Sequence, residues 1–149
     1  MDSGVAYLIS HMLSDNNARL LSFGANSLLN INWRSVAVKT GTTDDQRDNW
    51  TVGWTPQIIV GVWVGNNDNS KMAAVTSGTS GASPIWRRAI LDGLENEPVV
   101  EFEMPSNVES VKVDRITGYP AHDGFEEKDG LVIKGTLPGG KDPIHTKLK

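Results

Sequence analysis

An α+β fold follows from three features of this 149-residue chain. An amphipathic run opens it, three apolar runs joined by short turns come next, and a serine–proline start introduces a second amphipathic run. Together they predict an antiparallel three-strand meander packed with an N-terminal and a C-terminal helix, followed by a small β-rich tail. The length suits one domain able to bury a core.

In residues 3–15, Val5, Leu8, Ile9, Met12 and Leu13 fall at i, i+3, i+4, i+7 and i+8, one face of a helix. Asp2 or Ser3 can cap its start, and Asp15-Asn16-Asn17 ends it. Residues 16–34 carry Gly24 and several asparagines without a sustained period, so they read as a loop holding at most one helical turn.

The first strand is Val36–Thr42, and Asp44-Asp45-Gln46-Arg47-Asp48 turns the chain. In the second, Trp50–Thr55, the residues Trp50, Val52 and Trp54 alternate with Thr51, Gly53 and Thr55. Pro56-Gln57 is a tight turn. The third, Ile58–Val64, is apolar on both faces, which predicts a central strand covered on both sides. Connections this short force antiparallel pairing, because a parallel crossover needs a dozen residues or so.

Residues 65–82 read as a long loop. Ser83 then stands as a helix cap with Pro84 at the first helical position. Trp86, Ala89, Ile90 and Leu94 mark the buried face, Arg87, Arg88 and Asp92 point mostly outward, and Glu97-Pro98 stops the helix. Val108, Val111 and Val113 suggest a hairpin turning at 114–118. Residues 122–149 are polar apart from Leu131-Val132-Ile133 and are expected to be poorly ordered. The expected organisation is therefore a main portion at 1–97, a hairpin extension at 98–121 and a polar tail at 122–149.

Composition narrows the function classes. A net charge of -4 without a basic run argues against nucleic-acid binding. The absence of cysteine excludes disulfides and thiolate metal sites and fits an extracytoplasmic protein. No stretch is long and apolar enough to span a membrane, and the N-terminus has no signal-peptide pattern. His11, His122 and His145 are scattered, with no carboxylate or histidine at ligand spacing. Asp44, Asp45 and Asp48 lack the glycine and distal glutamate of a calcium loop. No metal or cofactor is expected. Trp50, Trp54, Trp63 and Trp86 fall at strand or helix positions and are expected in the core, whereas Trp33 lies in a loop where it can line a cleft.

The chemistry concentrates in Val36-Ala37-Val38-Lys39-Thr40-Gly41-Thr42-Thr43. A lysine at the end of an edge strand binds an anion or, when partly desolvated, moves a proton. Gly41 lets another backbone come close. The hydroxyls of Thr40 and Thr42 beside an ammonium suit a carboxylate, and an exposed strand edge accepts an extended peptide. These residues make a half-site for a peptide or peptide mimic with a terminal carboxylate. The competing reading is a salt-bridged strand-end lysine followed by turn residues.

The wider context favours the first reading. The order KTGTT, a polar loop, DNWTVGWTP, GVWVGNND and GASPIW resembles the C-terminal part of the transpeptidase domain in class A penicillin-binding proteins, the bifunctional peptidoglycan synthases. The resemblance covers about residues 3–95. It continues more weakly through Val111–Gly118 and Lys134-Gly135-Thr136.

It implies a fragment of the serine β-lactamase/DD-transpeptidase fold, in which Lys39 lies beside the hydroxyl network of a catalytic serine. Thr40 and Thr42 would hold the carboxylate of a penicillin or of a stem peptide's terminal D-alanine, with Gly41 between them. The backbone N–H of Thr42 would be one of two oxyanion-hole donors. The nucleophile of such enzymes comes from an SxxK motif, and this chain has none: Ser35 precedes Lys39 by four residues and Ser110 precedes Lys112 by two. Ser14-Asp15-Asn16 spells the SxN motif, yet it stands at a helix end, where these are ordinary residues.

The resemblance therefore implies a parent serine-type DD-transpeptidase with an upstream glycosyltransferase domain. That parent would act on peptidoglycan stem peptides and β-lactams on the periplasmic side of the inner membrane, anchored by a segment outside this chain. Alone, the chain is expected to be inactive and to need the missing N-terminal part of the domain. Uncovered sheet or helix surface could also support a homo-oligomer. The alternative is a non-catalytic peptide-binding or assembly module that pairs with another chain.

Overall fold

A computed structural model describes residues 1–72, 80–122, 124–140 and 142–145. The elements are α1 (Ser3–Ser14), α2 (Asn16–Phe23), β1 (Ala37–Thr42), β2 (Asp48–Trp54), β3 (Ile59–Gly65), α3 (Ala82–Gly93), β4 (Val108–Asp114) and β5 (Glu127–Ile133). The mixed helix and antiparallel-sheet architecture is the predicted one. Contacts divide the chain into two compact units, Ser10–Phe102 and Met1–Ile9 with Glu103–Lys149.

In the unit Ser10–Phe102, β1, β2 and β3 form an antiparallel meander in that order. Short turns dictate it. A single 3₁₀ turn at Asp44–Gln46 joins β1 to β2. Between β2 and β3, the Thr55 N–H donates to the Ile58 carbonyl at 2.9 Å, while the Thr55 hydroxyl accepts the Gln57 N–H at 3.2 Å. α3 packs on β2 and β3. The core beneath it is Leu29, Ile31, Val36, Val38, Trp86, Ile90 and Leu94.

The sheet faces the other way from the expectation for its tryptophans. Trp86 is fully buried, but Trp50 is 45% and Trp63 42% exposed. The small face of β2, with Asn49, Thr51 and Gly53, is the buried one. The reason is steric: a side chain at Gly53 would run into the Trp86 indole, so the helix's largest residue needs a strand position without one. β3 is likewise an edge strand rather than a central one among the described residues, with Ile59 70% exposed. Its apolar outer face lies bare, as expected of uncovered sheet surface.

α2 corrects the loop reading of 16–34. Asp15 caps it, accepting the N–H groups of Asn17 at 2.9 Å and Ala18 at 3.3 Å, and Gly24 ends it with φ 73°. The helix buries no residue of its own, so the apolar period that betrays a helix is missing. α3 begins at Ala82 with Gly81 before it, so Ser83 is inside the helix and is no cap. Ala89 is exposed instead of facing the core. Past the helix, the largely buried Arg34 donates to Gln57 at 2.8 Å, to the Pro98 carbonyl at 2.9 Å and to the Glu97 carbonyl. Residues 73–79 of the expected loop lie outside the described residues.

In the other unit, Asp2 caps α1 through the Val5 N–H at 3.1 Å and accepts the Asn107 amide at 3.2 Å. β4 pairs antiparallel with β5, from Val108 opposite Ile133 to Asp114 opposite Glu127. The chain does turn after Asp114, and Val113 bridges Pro120. The main partner of β4, however, lies at Glu127–Ile133, inside the segment expected to be poorly ordered. Only Leu131, Val132 and Ile133 carried an apolar signal there; Glu127, Lys128 and Asp129 are exposed and hid the strand.

Candidate active-site wall on strand β1

β1 is an outer strand of its sheet. Its register sets Lys39 opposite Val52, Thr40 opposite Thr51, Gly41 opposite Trp50 and Thr42 opposite Asn49. The Thr43 N–H closes the hairpin on the Asp48 carbonyl at 3.2 Å. Antiparallel ladders alternate, so the N–H groups of Thr40 and Thr42 turn away from β2 toward the open edge. Lys39, Gly41 and Thr42 are exposed and Thr40 is half-buried. The Lys39 ammonium donates to the Thr40 carbonyl on that edge. The four motif residues thus present an ammonium, outward amides and hydroxyls along one accessible strand end, next to a 200 Å³ cleft lined by Met12, Phe23, Val38, Lys39 and Thr40 among others.

Asn49, which sequence reasoning did not single out, holds this strand end in place. It is fully buried. Its amide donates to the Gly41 carbonyl at 2.9 Å and to the Thr42 hydroxyl at 2.8 Å, and its oxygen accepts the Ala82 N–H at 2.8 Å. One side chain therefore ties β1 to the start of α3 and supplies the acceptor that a capping serine would have given. Beside it, the buried hydroxyls of Thr51 and Ser83 lie 3.0 Å apart. A buried polar residue needs all its partners, and Asn49 and Thr51 at alternate positions of β2 are the signal that could have exposed Asn49.

The same order of elements recurs in known proteins. Penicillin-binding protein 1A of Pseudomonas aeruginosa is 29% identical over 151 aligned positions, covering 96% of this chain and 18% of that protein. Penicillin-binding protein 2D of Bacillus subtilis is 37% identical over 106 positions, 70% of this chain and 15% of that protein. The chain is homologous to a segment of the class A penicillin-binding proteins.

The crystal structure of penicillin-binding protein 1A from Haemophilus influenzae superposes with a TM-score of 0.73 over 94% of this chain and 22% of that one, at 22% identity, which shows the shared fold. The chain thus spans less than a fifth of the length of these two curated penicillin-binding proteins. No family model matches it.

Other residues singled out in the sequence take structural places. The Ser14 hydroxyl donates to the His11 carbonyl at 3.0 Å, Asp15 caps α2, and Asn16 donates to Asn30 at 2.6 Å. Trp33 is 54% exposed and lines a groove with Leu91, Glu95 and Val99, away from Lys39; the Arg34 guanidinium lies 4.9 Å from its ring centre.

The histidines require a correction. The structure brings His122 and His145 together with Asp114 and Asp142, their ligand atoms all within 4.8 Å of one another. Asp142 is held well below the ordinary carboxylate range. Burial opposes this and is the largest single influence, but it is outweighed by hydrogen bonds from the Thr117 hydroxyl, the Ile144 and His145 N–H groups and His122. Asp114 is lowered too, first by the Thr117 N–H, with burial opposing. No helix among the described residues is long and apolar enough to cross a membrane.

Proposed function

We propose that this chain forms one wall of a serine DD-transpeptidase site that cross-links peptidoglycan stem peptides and is acylated by penicillins. The observation that carries this reading is the accessible end of β1, where Lys39, Thr40, Gly41 and Thr42 follow one another on an outer strand and two N–H groups turn to its open edge. A substrate carboxylate would pair with Lys39 and accept from the threonine hydroxyls. The extended stem peptide would lie along the open edge as an added strand.

The reaction needs a serine nucleophile, a base to deprotonate it and an oxyanion hole. In this reading the Thr42 N–H is one of the hole's two donors, poised where charge develops as the serine oxygen adds to the D-alanyl carbonyl. The serine and its lysine come from the rest of the protein. The adduct expels the terminal D-alanine, whose nitrogen takes a proton, to leave the acyl-enzyme; the amine of a neighbouring stem peptide then attacks the ester, takes the acyl group and releases the serine hydroxyl. The site belongs to the extracytoplasmic face of a bacterial cell, where that substrate is.

The test joins the chain to the remainder of its transpeptidase domain and measures labelling by a fluorescent penicillin. We expect labelling of the joined protein, none of the chain alone, and strong loss with Lys39→Ala. Labelling that proceeds equally fast with Lys39→Ala sinks the reading.

A further inference from the structure

The turn after β4 and the last described residues converge on a second polar centre, remote in sequence from Lys39. Asp114 ends β4. Its Oδ1 accepts the N–H groups of Ile116 and Thr117, each at 2.9 Å, and lies 3.1 Å from the Thr117 hydroxyl oxygen. Asp142 is held in the same way: its Oδ1 accepts the N–H groups of Ile144 at 2.8 Å and His145 at 3.2 Å. Both carboxylates are thereby anchored by backbone N–H groups on Oδ1, and each turns its Oδ2 toward the imidazoles.

The inward oxygens meet two imidazoles. Asp142 Oδ2 lies 3.2 Å from His122 Nε2 and 3.1 Å from His145 Nδ1. Asp114 Oδ2 lies 3.3 Å from His145 Nδ1 and 3.9 Å from His122 Nε2. A tetrahedral zinc ion with bonds of about 2.0–2.1 Å to nitrogen and oxygen sets its ligand atoms roughly 3.3–3.4 Å apart. The four aspartate–histidine separations, of the six edges, bracket that length, and all the ligand atoms lie within 4.8 Å of one another.

Burial and charge point the same way. The side chains of Asp114, Asp142 and His145 are 2%, 3% and 7% exposed. Two carboxylates confined so close repel each other, and a dication with two neutral imidazoles balances them. Phe125 stacks on the His145 ring at 3.7 Å between centres and meets His122 edge-on at 4.9 Å, an apolar cover of the kind that excludes water from a metal site. The Thr117 hydroxyl, 2.7 Å from Asp142 Oδ2, adds the outer support that orients ligating carboxylates.

We propose that Asp114, His122, Asp142 and His145 form a closed, four-coordinate structural site for a zinc-type divalent ion. Two nitrogen and two oxygen donors suit a borderline ion over the harder magnesium or calcium, which take oxygen shells. With all four positions filled by protein, the ion fastens the turn at 114–122 to the segment 142–145. This is independent of the proposed transpeptidase role and needs no β-lactam to test.

The full chain, stripped with a chelator, is titrated with zinc and separately with cobalt. We expect one ion per chain, the intense visible bands of four-coordinate cobalt, and a higher unfolding temperature with zinc, since the ion binds only the folded form. His122→Gln alters the most exposed ligand and should weaken zinc by at least about 10-fold. Thr117→Val, which leaves all four ligands, should weaken it about 10- to 100-fold, the span of outer-support losses. His11→Gln, outside the cluster, should change nothing. Sub-stoichiometric binding, a six-coordinate cobalt spectrum, or unchanged affinity in both His122→Gln and Thr117→Val overturns the proposal.

Discussion

Asn49 grips Thr42 across the β1–β2 ladder, amide to hydroxyl at 2.8 Å, from a side chain with no solvent exposure. The same residue anchors the Gly41 carbonyl and the first N–H of α3. Replacing it with alanine removes three hydrogen bonds and leaves buried groups unpaired. At about 1 kcal/mol for each bond, with more for stranded partners, Asn49→Ala should cost about 3–5 kcal/mol in urea unfolding. Hydrogen exchange at Ala82 should accelerate in the same variant. A loss below 1 kcal/mol would show that the β1 end is held by other means.

Gly53 and Trp86 form a second fixed relationship. Gly53→Val should destabilise by about 1–3 kcal/mol through overpacking against the indole. Trp86→Phe should offset part of that loss, so the double variant should be more stable than the sum of the two single changes. Strict additivity in thermal unfolding would contradict the close approach.

Lys39 is exposed and should matter little for folding. Lys39→Ala should shift stability by no more than about 0.5 kcal/mol, as surface substitutions do. In the reassembled domain it should slow penicillin acylation by on the order of 10²-fold, comparable to loss of one electrostatic contact in an acyl-transfer site. A fall in both would mean that Lys39 acts through the fold rather than on the substrate.

Asp15 separates a motif from its look-alike. Because its carboxylate caps α2, Asp15→Ala should cost about 1 kcal/mol and loosen the Asn17 and Ala18 amides in hydrogen exchange. Penicillin labelling of the reassembled domain should persist. Its abolition, with the fold intact, would return Ser14-Asp15-Asn16 to the catalytic machinery.

The meander was legible because its signals are local: short turns between apolar runs leave antiparallel pairing as the only route. The facing of β2 was not. The larger side chains of Trp50, Val52 and Trp54 suggested the buried side, whereas α3 selects the face with Gly53 because Trp86 must fit there. Lys39, Thr40, Gly41 and Thr42 were readable as a contiguous motif. Asn49 was not, since its third partner, Ala82, lies 33 residues further on. The aspartate–histidine centre was hidden for the same reason. Its members run from Asp114 to His145, and only the turn at Asp114–Gly118 and the strand at Glu127–Ile133 fold that span back on itself. Sequence spacing finds ligands on one helix or one loop; it is blind to ligands gathered by two segments.

The register of β2 and β3 sets Trp50 directly opposite Trp63 on the exposed face of the sheet. Two indoles so placed form a coupled pair of chromophores, and their circular dichroism depends on keeping that alignment. A slip of one residue would send Trp63 to the opposite face and extinguish the signal. The sheet therefore carries its own optical gauge of register, readable without a label while the β1 edge is loaded with peptide or joined to the rest of its domain.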